Sequence, residues 1–151
     1  MDLDPPSADV PSPAIHPPIA FLDRTYDEAL SLTYAARGCI AAGLARPLAG
    51  ASASTSFTAS VESMRLTVRL TQVMAWCLAQ KAIFSGELAR DPETVEKFAL
   101  GARELCLGGA ENAHVEGLTK PFQGLLAKSH ALYVRVLRLD ELMHREVMGS
   151  A

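Results

Sequence analysis

The sequence predicts an all-α fold: an antiparallel three-helix bundle with a short additional helix. Three observations carry this reading. Ser60 to Glu87 runs without proline or glycine until Gly86 and is apolar on more than one helical face. Two other long segments repeat apolar residues at intervals of three and four, the helical period. No segment alternates apolar and polar residues as a strand would.

The chain has 151 residues and a net charge of −3, which fits one domain with a modest core. That balance argues against a general nucleic-acid binder, which would be clearly basic. Arg65, Arg69 and Gln72 interrupt the best candidate for a membrane span. Cys39, Cys77 and Cys106 are odd in number and far apart, which argues against a disulfide framework. The start is acidic and proline-rich and does not resemble a secretory leader. The expected compartment is the reducing cytoplasm.

Residues 1–18 hold most of the prolines and are expected to form a disordered arm ahead of a bundle domain at 19–148. The first helix is expected from about Pro18 to Leu44, with Leu22, Tyr26, Ala29, Thr33, Ala36 and Ile40 as its inner stripe. It should stop before Pro47, because the residue preceding a proline is pushed out of the helical region. Pro47 to Thr58 is small, polar and glycine-containing, and reads as a flexible loop, with Thr58 or Ser60 capping the next helix.

In the second helix, Val61, Met64, Val68, Thr71, Ala75, Leu78 and Ala82 form the expected bundle seam. A second apolar set, Leu66, Leu70, Val73, Cys77 and Phe84, flanks it. Burying a large apolar side chain contributes about 1.5–3 kcal/mol, so both sets demand cover. One partner helix cannot provide it. The surplus face must meet a third helix or another subunit, and a homodimer is the natural solution.

Asp91-Pro92-Glu93 reads as a helix start, with Asp as cap and Pro in the first turn. A short amphipathic helix should follow over Val95 to Cys106 and end at Gly108-Gly109. Ala110 to Lys120 reads as a loop. The last helix starts near Thr119-Lys120-Pro121. Phe122, Leu125, Ser129, Leu132, Val136, Leu139 and Met143 line its inner face, widened by Leu126, Tyr133 and Leu137. Glu141 and Arg145 are spaced for an exposed ion pair.

No chemistry is expected. There is no phosphate-binding glycine loop, no paired-cysteine metal knuckle and no nucleophile elbow. Asp140 and His144 are one turn apart but are too few ligands for a metal. Glu111, His114 and Glu116 read as ordinary loop residues. Catalytic, cofactor and metal residues are therefore none.

The candidates are for binding protein. Arg65 and Arg69 are one turn apart in a mostly apolar helix, with Glu62 near enough to offset their repulsion. A buried arginine would need a carboxylate or carbonyl partner. An exposed one could grip an acidic peptide. Trp76 lies seven residues after Arg69, on the same face. Tryptophan and arginine are enriched in binding hot spots. Tyr133 and Arg135 on the last helix complete the set of surface or interface candidates. On this reading Arg69→Glu weakens partner capture more than stability.

The run ESMRLTVRLTQVMAWCLAQKAIFSGE, followed by SHALYVRVLRLDELM, resembles a small alphaproteobacterial family of unknown-function domains. That family includes the regulator of CtrA degradation, an adaptor for the ClpXP protease. The similarity spans about Phe21 to Met143. It rests on Ser63, Met64, Arg65, Leu66, Arg69, Leu70, Trp76, Gly86 and Glu87, then Ser129, Tyr133, Arg135, Leu139 and Asp140. The resemblance implies a dimeric three-helix bundle and a non-enzymatic adaptor. Its implied partners are the ClpX unfoldase and a regulatory substrate of the cell cycle. The adaptor's flexible C-terminal tail has no equivalent after the last helix here; the flexible segment is expected at the N-terminus instead. Two other readings are a DNA-associated regulator, which needs a clustered basic face, and a structural homodimer serving another protein partner.

Overall fold

The computed structural model describes residues 17–149. Most of the expected N-terminal arm, residues 1–16, therefore lies outside the described residues. Three long helices dominate: α1 (Ile19–Ala41), α2 (Ala53–Phe84) and α5 (Lys120–Gly149). Between α2 and α5 lie two short helices, α3 (Pro92–Lys97) and α4 (Arg103–Leu107), and a 3-10 turn at Ala110–His114. Each long helix packs on the other two.

The bundle is not antiparallel throughout. Lys81 reaches Asp23 at 2.7 Å and Thr33 reaches Met74 at 3.7 Å, so α1 and α2 are antiparallel. Arg135 pairs with Glu28, while Gly38 and Cys39 share a groove with Gly124 and Lys128, so α1 and α5 are antiparallel too. Arg69 meets Ser129 and Trp76 meets Asp140, so α2 and α5 run parallel. The reason is the connection from Ser85 to Thr119. It starts beside the end of α5, where Arg90 meets Glu146 at 3.1 Å. It then travels the length of the bundle to the α1–α2 corner, where the Leu48 N–H donates to the Gly117 carbonyl at 2.8 Å. That return delivers α5 to the same end from which α2 began.

Helix boundaries differ from expectation at two places. First, α2 begins at Ala53, inside the segment read as loop. The Ser52 hydroxyl accepts the Thr55 N–H at 3.1 Å and caps it. Second, the helix expected over Val95 to Cys106 is broken in two. Side chains of the long helices take its backbone groups: Asp140 accepts the Leu100 N–H at 3.2 Å, and Gln72 accepts the Gly101 N–H at 2.9 Å. The Tyr133 hydroxyl donates to the Gly101 carbonyl at 2.7 Å. These groups are then lost to a helical ladder, and Ala102 turns left-handed at φ 55°.

The inner stripe of α1 is Leu22, Thr25, Ala29, Leu32, Ala36 and Cys39. Ile40, placed inside by spacing, is exposed. On α5 nearly every expected inner residue is buried, from Phe122 to Met143. On α2 the expectation inverts. Leu66, Leu70, Val73 and Cys77, read as the flanking set, form the core. Met64 and Leu78, read as the seam, are 51% and 53% exposed. Phe84 is exposed as well. The three cysteines are buried free thiols, and burial pushes the Cys77 thiol up to about 11.

Candidate protein-interaction site

Two faces of α2 define what the molecule can do, one closed by its own chain and one open. The closed face holds an interior polar clamp. Arg69 is 1% exposed, and its guanidinium is spent on the crossing segment and α5. Nε donates to the Cys106 carbonyl at 2.8 Å and Nη2 to the Gly108 carbonyl at 2.7 Å. Nη1 faces Ser129 Oγ at 3.3 Å and the Leu126 carbonyl at 3.5 Å. Burial lowers its pKa and nearby Glu62 acts the other way, but a guanidinium stays charged.

Glu62, fully buried, pairs with Arg65 and accepts Asn112 Nδ2 at 3.0 Å. Gly109 lies against this pair at φ +81°; a Cβ there would meet Glu62 Oε1 at 2.5 Å and Arg65 Nη1 at 2.6 Å. Only glycine suits a left-handed position this close to a carboxylate. Further along, Trp76 Nε1 donates to Asp140 Oδ1 at 2.8 Å. Burial raises the Asp140 pKa, and the bonds from Trp76 and Leu100 partly offset it. Tyr133 is also buried, which pushes its hydroxyl up to about 12.

The structure therefore places three of the five surface candidates inside. Arg69, Trp76 and Tyr133 fasten the crossing segment to α2 and α5, and none of them is free to touch a partner. Arg65 is half-buried against Glu62. Arg135 is exposed and paired with Glu28 across α1 and α5. Arg69 uses carbonyls and a hydroxyl instead of the carboxylates Asp140, Glu141 or Glu28 that the sequence offered. Glu141 pairs with Arg103 at 3.0 Å, while Arg145 reaches only the Glu141 carbonyl, at 3.4 Å.

The open face has a different chemistry. Phe57, Met64 and Leu78 are exposed and seven residues apart or multiples of seven, so they share one side of α2. Thr71 completes the series. Beside them Ile40 of α1 is 54% exposed. Between the helices runs a groove of about 720 Å³, lined among others by Ile40, Thr67, Leu70, Thr71, Met74 and Leu78. Its hydroxyls are already satisfied. Thr67 donates to the Ser63 carbonyl at 3.0 Å, Thr71 to Thr67 at 2.8 Å, and Thr33 to Ala29 at 2.8 Å. They turn their methyl groups outward and lose no hydrogen bond when covered. This is a face prepared for burial, and sequence reading missed it. Its signal was present in the seven-residue spacing, but Phe57 fell in the presumed loop, and Met64 and Leu78 were assigned inward.

The model of the DUF1465 family, described as a protein of unknown function, matches residues 18–151. The chain belongs to this family. The DUF1465 chain is also similar in structure to RcdA from Caulobacter crescentus CB15, whose crystal structure is solved. The two share 30% identity over 83% of this chain and 92% of that one, with a TM-score of 0.56. No curated protein matches. The resemblance read from the second and last helices thus holds. Among the described residues, no group of three or more His, Cys, Asp or Glu could hold a metal, and no helix is long and apolar enough to cross a membrane.

Proposed function

We propose that this chain is a non-enzymatic, homodimeric protein-interaction module that works as an adaptor in regulated proteolysis by ClpXP. The single observation that carries the interaction role is the open α1–α2 face. An apolar stripe at seven-residue spacing, with its hydroxyls turned inward, has the makeup of a helix-packing seam. A second copy laid on it across a two-fold axis covers the same residues on both sides. Membership of the family and the similarity to RcdA support the adaptor reading. The chemistry of the interior supports it as well, since its buried charged groups are engaged in holding the fold together.

The DNA-associated reading has less support. Exposed or partly exposed cations are interleaved with carboxylates, as in Lys81–Asp23, Arg103–Glu141 and Arg135–Glu28.

The test is degradation of a regulatory substrate by purified ClpXP with and without this protein. The expected result is severalfold faster loss of substrate with the wild-type chain, falling to the unassisted rate with Leu78→Glu. An unchanged rate, together with no complex between this chain and ClpX, contradicts the adaptor role.

A further inference from the structure

A second apolar groove, of about 430 Å³, lies where the start of α1 meets the end of α5, away from the α1–α2 face. Phe21, Leu139 and Leu142 form its floor and walls, Pro17 and Pro18 its head, and Arg138 its rim. Leu142 is 46% exposed, so the groove is open in the described residues. Arg138 is exposed and makes no ion pair among the described residues. We propose that residues 1–16 of this same chain occupy this groove.

Three observations point to that occupant. The chain leaves from the groove itself: Pro17 lines it and is buried, so the backbone is seated there where the segment begins. The charges are complementary. Residues 1–16 carry Asp2, Asp4 and Asp9 with no lysine or arginine, while the groove offers Arg138 and, paired with Glu28, Arg135. The segment also supplies what an apolar groove beside a phenylalanine takes, namely Leu3, Val10 and Ile15 set among prolines at 5, 6, 11 and 13. Proline-rich chain is biased toward an extended helix that seats in aromatic grooves at low entropic cost.

Reach is not limiting. At roughly 3.1 Å per residue in that conformation, the segment spans far more than the two turns of α5 that border the groove. Tethering also makes a weak contact sufficient. A short linker gives an effective concentration on the order of millimolar, so a peptide of millimolar intrinsic affinity is substantially bound. The segment thus covers an apolar patch and neutralises the arginine rim in one step. A partner presenting an acidic, apolar peptide has to displace it.

The test uses the full chain at low salt and two variants. One is Asp2→Lys, Asp4→Lys and Asp9→Lys combined; the other is Arg138→Glu, at an exposed position. The readouts are the heteronuclear NOE of residues 2–16 and the side-chain resonances of Phe21, Leu139 and Leu142. In the wild type, NOE values over Leu3 to Ile15 should approach those of the helices. In both variants they should fall to coil values, with Leu139 and Leu142 methyl shifts moving together. Coil values in the wild type overturn the proposal. So do groove resonances that ignore both variants. Groove shifts that grow with protein concentration assign the groove to a second copy and overturn it as well.

Discussion

The two faces of α2 are built from the same helix and teach opposite lessons. On the closed face, Glu62, Arg69 and Trp76 are polar or amphipathic and fully inside. On the open face, Phe57, Met64 and Leu78 are apolar and outside. Hydrophobicity alone would sort them the other way. What separates them is the return of the chain. The segment from Ser85 to Thr119 carries much irregular backbone, so it brings carbonyls and N–H groups that need partners in a buried place. Arginine, tryptophan, tyrosine, glutamine and aspartate supply them. The open face meets no such segment and keeps a clean helix-packing surface.

The largest break in this contrast comes from Arg69. Replacing it by Glu removes the donors to the Cys106 and Gly108 carbonyls and buries an acid near Glu62. The expected loss is about 3–5 kcal/mol, or no stable fold, read by urea melting. This reverses what the sequence alone implied for Arg69→Glu, namely weakened capture with little loss of stability. Gly109→Ala comes next. It forces a left-handed alanine against Glu62 and Arg65 and should cost about 1–3 kcal/mol. A neutral result would show that the crossing segment is not clamped there.

Asp140 gives a smaller effect with a definite sign. Burial raises its pKa above the ordinary carboxylate value. Between the unfolded and folded values the native state holds more protons, so this group's stabilising contribution is fully present below the unfolded pKa and is lost as pH rises through the folded one. Asp140→Asn should therefore flatten the decline in stability across that acidic window. An unchanged slope would mean that Asp140 titrates as it does in the unfolded chain.

Much of the fold was legible, because helices announce themselves by period. The inner face of α5 was readable almost residue by residue, since it is a regular stripe covered from one side. The start of α2 was hidden by composition: a run of Ala, Ser and Thr reads as loop until Ser52 is seen to cap it. The direction of α5 was hidden for a topological reason. Nothing local tells whether a long, mostly irregular connection turns back at once or runs the length of the bundle. The candidate site suffered most. Arg65, Arg69, Trp76, Tyr133 and Arg135 were chosen for residue type, and residue type cannot tell a binding arginine from one that holds backbone carbonyls. Choosing between the two apolar sets of α2 required knowing which side the crossing segment would cover.

The smallest expected effect on stability belongs to the open face, where Leu78→Glu should change the melting of the isolated fold by no more than about 0.5 kcal/mol. Its effect on association should be large, and that measurement bears on the central claim that a second copy covers the α1–α2 face. In sedimentation equilibrium at micromolar concentration, the wild-type chain should have the mass of two copies. Leu78→Glu should have the mass of one, with unchanged helical content. A wild-type chain that stays at the mass of one copy, or a Leu78→Glu chain that still pairs, would contradict the account.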